Sequence, residues 1–347
     1  MATMKAIVKA KAEPGGLAFR DLPIPEPGEG EVLLKNLAVA ICGTDLHIYN
    51  WDAWSRKRVR IPTVIGHEFA ATVAKTGPGV TRAKVGDYVS GEGHLFCGLC
   101  DNCRTGNAHV CYSWKGIGYD VDGVFREYFT LPERNLWRND PATPPAYAAI
   151  QDPLGNAVHT VFKTDCVAKR VAVFGDGPVG LLAVATLRAI GAAEIFVFGR
   201  GNHYRLDIAR KLGADHVIDT LETDPVAYIK QHTGGSGVDV SLEIVGAAAS
   251  VNAALKSVKL GGHVVMIGIP TAEVPLDLAN DIVFNAVTLH GVTGRKVWDS
   301  WFVMRGLFRS GRLDVAPIIT HQFPFDEYEK GFALMQTTNC GKVVLTF

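Results

Sequence analysis

Four cysteines within fifteen residues, Cys97-x2-Cys100-x2-Cys103-x7-Cys111, are the densest group of chemistry-bearing side chains in the chain. Four thiolates on such short spacers can close a tetrahedral shell around one zinc ion. A ferredoxin-type cluster and a disulfide framework are the other uses of such a run. The run lacks the proline that usually follows the last ferredoxin cysteine, no second run accompanies it, and the remainder reads as intracellular. A closed structural zinc site is therefore expected, one that stabilises a lobe and does no chemistry itself.

A second group lies in VAVFGDGPVGLLAVA, Val171 to Ala185. Here Gly-x-Gly-x-x-Gly sits between an apolar strand and an apolar helix, where a helix N-terminus offers N–H groups to a pyrophosphate. Gly175 permits the tight turn, Gly177 lets backbone approach phosphate, and Gly180 lets helix pack on strand, with Pro178 and Val179 between them. The second strand of such a unit ends in Asp or Glu when the ribose 2′-OH of NAD is to be held. This chain reads IFVFGRGNHYR from Ile195 to Arg205, with Gly199 at that place and Arg200 after it. A 2′-phosphate requires that absence of negative charge and is bound bidentately by a guanidinium. NADP rather than NAD is the expected cofactor, with Arg205 and His203 as further candidates, and Ile267 and Thr293 complete the expected cofactor set.

These residues need two different scaffolds. Up to about residue 140, short β-like runs (Lys5–Lys9, Val32–Ala40, Phe69–Lys75) alternate with turn clusters, predicting a compact, mainly β lobe. A proline-rich joint, Pro141 to Ala146, predicts a hinge. Beyond it Val171–Phe174, Ile195–Phe198, Val238–Ile244 and Val264–Ile269 are apolar strand candidates separated by helical stretches, the pattern of a parallel sheet with crossover helices. The last candidate, Val343–Phe347, suggests a return to the first lobe. The expected division is a catalytic domain over 1–152, a nucleotide domain over 153–290 and a return over 291–347, an α/β architecture overall.

Thirty-five Lys and Arg balance thirty-five Asp and Glu, so no global field recruits nucleic acid or a membrane, and a small molecule is the expected partner. No run approaches the ~20 apolar residues that span a bilayer. MATMKAIVKAKAEP has no continuous apolar segment of the signal-peptide kind, and the cysteine usage fits a reducing compartment. The expectation is a cytoplasmic protein.

The remaining metal-type residues, Cys42-Gly43-Thr44-Asp45 and Gly66-His67-Glu68, would each be ordinary alone. With the four-cysteine run and the dinucleotide turn, they resemble the zinc-containing medium-chain alcohol dehydrogenases along essentially the whole chain. Within that family the chain is similar to the L-threonine 3-dehydrogenases in CGTDLHIYNWDAWS (Cys42 to Ser55), GHEF (Gly66 to Phe69), GEGHLFC (Gly91 to Cys97), DPLGNAVH (Asp152 to His159), Gly294-Arg295 and PIITH (Pro317 to His321).

The resemblance implies a GroES-like, mainly β catalytic domain joined to a Rossmann doubly wound parallel sheet. It implies two zinc ions per chain, the catalytic one on Cys42 and His67, with Glu68 adjacent. Asp152 stands where many relatives place a second cysteine, and a carboxylate there is an oxygen ligand that holds zinc less firmly than a thiolate. Zinc with an open position lowers the pKa of an alcohol, Thr44 is placed to pass the hydroxyl proton onward, and His47 hands it to solvent. Asp45 orients its neighbours, His94 resembles a substrate histidine, and Trp51 with Trp54 could wall the substrate site. The implied activity is hydride transfer between NADP and a small polar secondary alcohol, L-threonine or a related β-hydroxy compound. A polyol, diol or ketose reductase on the same scaffold is the alternative. The resemblance also implies a homotetramer.

Overall fold

The computed structural model describes residues 2–347, and the chain divides into two compact units. One takes the chain up to Asp152 together with Ile319–Phe347, and the other is Pro153–Ile318.

In the first unit a large, mainly antiparallel sheet runs in the order Leu136–Arg138, Tyr88–Gly91, Glu68–Thr76, Glu31–Ile41, Lys342–Thr346, Ile319–Pro324. The strand Tyr128–Pro132 also pairs with Glu31–Ile41. A smaller sheet places Thr3–Lys9 between Leu17–Pro23 and Thr63–Val64. Strand Glu31–Ile41 lies at the centre because its Val, Leu, Ala and Ile residues are buried on both faces, as a fully covered strand requires. Its core partners include Phe69, Phe125, Phe129, Phe332 and Leu345. Lys342–Thr346 pairs antiparallel with it, from Val343 opposite Ile41 to Thr346 opposite Ala38. The C-terminal strand is thus built into this unit's sheet.

The second unit is a six-stranded, wholly parallel sheet in the order His216–Asp219, Glu194–Gly199, Arg170–Phe174, Val238–Glu243, Val258–Met266, Thr288–Gly291. The order reverses beside Arg170–Phe174, the position at which doubly wound sheets bind ligands beyond the carboxyl ends of their strands. Helices Pro178–Ile190, His203–Lys211, Pro225–His232 and Ala248–Ser257 supply the crossovers.

Two boundaries and one hinge differ from those expected of the sequence. The proline-rich stretch Pro141 to Ala146 lies inside the first unit rather than forming a hinge. Pro145–Ala149 is a helix, Ser90 Oγ donates to Ala148 O at 2.9 Å, and Gln151 Nε2 donates to Asn139 Oδ1 at 2.8 Å, so the first unit continues to Asp152. The return falls at Ile319 rather than 291, because Thr288–Gly291 is an edge strand of the parallel sheet. Beyond that strand Arg295 packs within reach of Gly155, and Gly294 O meets His159 Nδ1 at 3.0 Å. The strand expected over Val264–Ile269 spans Val258–Met266, its irregular first half hidden by Gly261 and Gly262. Among the described residues no helix is long and apolar enough to cross a membrane.

Candidate functional site

Cys42 directly follows the central strand and caps the helix Gly43–Asn50, and its N–H donates to Asp45 Oδ2 at 2.8 Å. That bond uses Asp45 in the reciprocal manner of a capping box, fixing the turn that carries the thiol. Thr44 Oγ1 lies 3.9 Å from Cys42 Sγ. His67 and Glu68 follow Gly66, which adopts φ +90°; a Cβ there would sit 2.1 Å from Phe125 Cδ1. Only glycine lets the chain pass Phe125 and deliver His67 beside Cys42.

One donor atom from each of Cys42, His67 and Glu68 lies within 4.8 Å of the others. Asp152 is buried outside that tight set, yet its charge acts on both His67 and Glu68. Burial pulls the His67 imidazole down, but Cys42, Asp45 and Asp152 outweigh it and hold it up at about 10. His67 Nδ1, Asp45 Oδ1 and Glu68 Oε1 are buried without a hydrogen-bond partner. A thiol, an imidazole and surplus negative charge in a buried, under-bonded cluster are what a divalent cation satisfies. The residues therefore fit zinc.

Glu68 has a second partner that the sequence did not signal. Lys342, from the C-terminal strand, places Nζ 2.5 Å from Glu68 Oε2, and it donates to Ile41 O at 2.8 Å. Burial raises the Glu68 carboxyl and Lys342 opposes that rise; Lys342 is itself held up by Glu68 and Cys42 against its own burial.

The four cysteines of the run form a second cluster. Their sulfurs are separated by 3.5 Å (Cys97–Cys111 and Cys100–Cys103), 3.8 Å (Cys100–Cys111) and 3.9 Å (Cys97–Cys103). A tetrahedron with zinc–sulfur bonds near 2.3 Å has edges of about 3.8 Å, so these spacings fit one zinc ion. Leu99 and Cys100 donate backbone N–H groups to Cys97 Sγ, which together bring that thiol down to about 6.

Of the other predicted residues, His47 is exposed, its Nδ1 2.6 Å from Asp52 Oδ2; Asp52 in turn caps the helix Ala53–Arg58 through Ser55 N. His94 sits over Trp114, ring centroids 4.6 Å apart, and its N–H donates to Glu92 Oε1 at 3.0 Å. Trp51 is buried in the core cluster beneath Lys9 Nζ rather than presented as an open wall, whereas Trp54 is partly exposed beside His47 and Tyr119.

The dinucleotide residues gather at the carboxyl ends of the parallel strands. Gly175 follows Arg170–Phe174 with φ +124°, and a Cβ on Gly180 would lie 1.9 Å from Gly175 O. Gly177 begins the helix Pro178–Ile190, which has no side-chain cap, while the next two helices are capped by Asn202 and Asp224. The uncapped N–H groups suit a pyrophosphate, and Pro178 at the first turn forfeits only an N–H that has no helical partner. Gly199 ends its strand, Arg200 is exposed after it, and Arg205 lies in the first turn of the following helix. Ile267 and Thr293 stand just beyond the ends of Val258–Met266 and Thr288–Gly291. A carboxylate passed over in the glycine motif, Asp176, lies against Gly199.

Comparison with known proteins agrees with this architecture. The family described as "Alcohol dehydrogenase GroES-like domain" matches residues 28–141, and "Zinc-binding dehydrogenase" matches residues 178–309. The chain belongs to the zinc-containing medium-chain alcohol dehydrogenase family. Within that family it is 46% identical over 343 residues to an L-threonine 3-dehydrogenase of Caldanaerobacter subterraneus subsp. tengcongensis, covering 99% of this chain and 98% of the relative. It is 47% identical to the L-threonine 3-dehydrogenase of Bacillus velezensis over the same shares. Among solved structures, alcohol dehydrogenase TADH from Thermus sp. ATN1 superposes with a TM-score of 0.91 at 30% identity, covering 99% of both chains.

Proposed function

We propose that this zinc-type dehydrogenase oxidises the secondary hydroxyl of L-threonine, or of a closely related β-hydroxy compound, with NADP as hydride acceptor. The observation that carries the proposal is the Cys42, His67 and Glu68 cluster, with Glu68 fully buried, in a chain 46% identical to an L-threonine 3-dehydrogenase.

Cys42, His67 and the carboxylates of Glu68 and Asp152 would hold the catalytic ion, and Cys97, Cys100, Cys103 and Cys111 the structural one. Bound there, zinc would supply a Lewis acid for the substrate hydroxyl, and a bound oxidised nicotinamide would supply the two-electron hydride acceptor for conversion of the carbinol to a carbonyl. Thr44 Oγ1 accepts the hydroxyl proton as it gives up its own, and His47, exposed and held at Nδ1 by Asp52, passes a proton on to water. Asp45 fixes the Cys42 turn. His94, backed by Glu92, contacts the polar end of the substrate. Gly175, Gly177 and Gly180 admit the pyrophosphate, and Arg200 and Arg205 bind the 2′-phosphate. Five of the seven cysteines fall in the two metal-type clusters, which supports a reducing, cytoplasmic setting, and the family likeness supports a homotetramer.

The test is initial rates with purified protein, crossing NAD and NADP against L-threonine and a panel of diols and polyols. Threonine-dependent NADPH formation is the expected result. Turnover of a diol or polyol without turnover of threonine would replace the substrate while keeping the chemistry.

A further inference from the structure

The carboxylate missing from the end of the second strand of the parallel sheet has a substitute. A Cβ built on Gly199 would lie 2.6 Å from Asp176 Oδ2, 2.8 Å from Asp176 Cγ and 2.7 Å from Leu206 Cδ2. The space that a side chain at 199 would enter is therefore already occupied by the carboxyl group of Asp176, which reaches it from the glycine turn after the first strand. Asp176 Oδ2 is buried with no hydrogen-bond partner. A buried carboxylate oxygen left unbonded costs free energy, and such atoms in folded proteins usually await a ligand or water. Burial raises the Asp176 carboxyl, Arg205 draws it back toward ionisation, and Asp219 opposes that.

In a doubly wound sheet, the end of the strand after the glycine turn faces the adenosine ribose, and a carboxylate there accepts a hydrogen bond from the 2′-OH. A 2′-phosphate at that place would instead meet a like charge. Arg200 and Arg205 attract the phosphate, while the Asp176 carboxylate acts against it. We infer that Asp176 is a cofactor-selecting residue which supplies, from the glycine turn, the 2′-OH acceptor absent at Gly199 and so restrains the preference for NADP. This rests on the dinucleotide assignment of the Gly175–Gly180 turn made above.

The same geometry explains why position 199 is glycine. With Asp176 in place any side chain at 199 must displace either it or Leu206, so the two positions share one volume and one acidic function. Arg205 then serves both cofactors, as counter-ion to Asp176 with a 2′-OH and as a ligand for a 2′-phosphate.

The experiment is titration calorimetry of the full-length, zinc-loaded protein with NAD and with NADP, comparing wild type, Asp176→Asn and Asp176→Ala. Thermal melting of each variant verifies the fold. Asn keeps the shape and removes the charge, and Ala removes both. The expected result is a shift of the Kd ratio toward NADP by about tenfold or more in both variants, because a hydrogen bond to a charged group is exchanged for relief of repulsion. A ratio within twofold of wild type in both folded variants, or a shift toward NAD, would overturn the inference. Wild type binding NAD more tightly than NADP would defeat the NADP reading alone, since the direction of the Asp176 shift does not depend on it.

Discussion

Lys342 Nζ and Glu68 Oε2 meet at 2.5 Å with both side chains sealed from water, joining the C-terminal strand to the residue beside His67. Two buried charges are costly unless paired, and removing one leaves the other stranded. Lys342→Met should destabilise the protein by about 3–5 kcal/mol, and Glu68→Gln by a comparable amount because it strands the buried Lys342 ammonium. The double variant should lose clearly less than the sum of the two. Urea unfolding of all four proteins gives the coupling directly, and additive losses would show that the pair acts as two independent residues.

The two cysteine clusters should respond differently to loss of a thiol. Cys103 belongs to a closed four-sulfur shell, so Cys103→Ser should lower the zinc content and the melting temperature together. Cys42 caps a helix with its backbone secured through Asp45, so Cys42→Ser should abolish turnover while leaving the melting temperature nearly unchanged. Zinc per chain and thermal melts, measured side by side, decide this. Equal unfolding of the two variants would contradict the separate roles.

How much of this was legible in the sequence depends on the range over which each feature is specified. The Cys97–Cys111 run and the Gly175–Gly180 turn are local, with the ligating or binding atoms set by a few residues of backbone, and the structure gathers them as their spacing suggests. Seven of the eight strand candidates named from apolar runs also lie within two residues of an observed strand at each end, although many short strands of the first unit were not named. Long-range partners were not. Lys342 reaches Glu68 only because the last strand pairs with Glu31–Ile41, and nothing in KVVLT distinguishes a lysine bound for the interior from a solvated one. Asp176 was hidden for a related reason: it occupies a variable position of the glycine motif, and its meaning depends on which atom lies across from it, at Gly199. Trp51 shows the reverse, since its place in a motif suggested a substrate wall while left-handed backbone at φ +52° and Lys9 above the ring put it in the core.

The close approach of helix to strand at the glycine turn makes a further test. A Cβ at residue 180 would lie 1.9 Å from Gly175 O, a backbone atom with no freedom to retreat. Gly180→Ala should therefore force the helix Pro178–Ile190 off the sheet, weakening binding of both dinucleotides by at least tenfold and lowering stability by about 1–3 kcal/mol. Gly177→Ala meets nothing within 4 Å, so it should leave stability near wild type, and any loss of dinucleotide affinity there reports the ligand's own need for space. Calorimetric titration and urea unfolding of both variants separate the effects; equal stability loss at 177 and 180 would be incompatible with this packing.

Lys9 offers a pH-dependent prediction away from both metal clusters. Its ammonium is enclosed beside Trp51 and donates to the carbonyl oxygens of Glu13, Gly15 and Tyr49 at 2.6, 2.8 and 3.3 Å, yet burial pulls its pKa down from 10.5 to about 8. The folded pKa is below the unfolded one, so between these values the unfolded chain binds more protons and stability rises with pH. The contribution is complete above about 10.5 and is lost as the pH falls through 8. Solvent screening around the partly shielded ammonium keeps its size on the order of 1 kcal/mol. Lys9→Met removes the titration while retaining an apolar stem under Trp51. Urea unfolding at pH 7.5 and pH 10 should show wild type gaining on the variant at the higher pH, the difference cancelling other groups that titrate in both proteins. A constant difference across that range would mean that Lys9 keeps its proton equally in the folded and unfolded chains, and that its three carbonyl partners fully offset its burial.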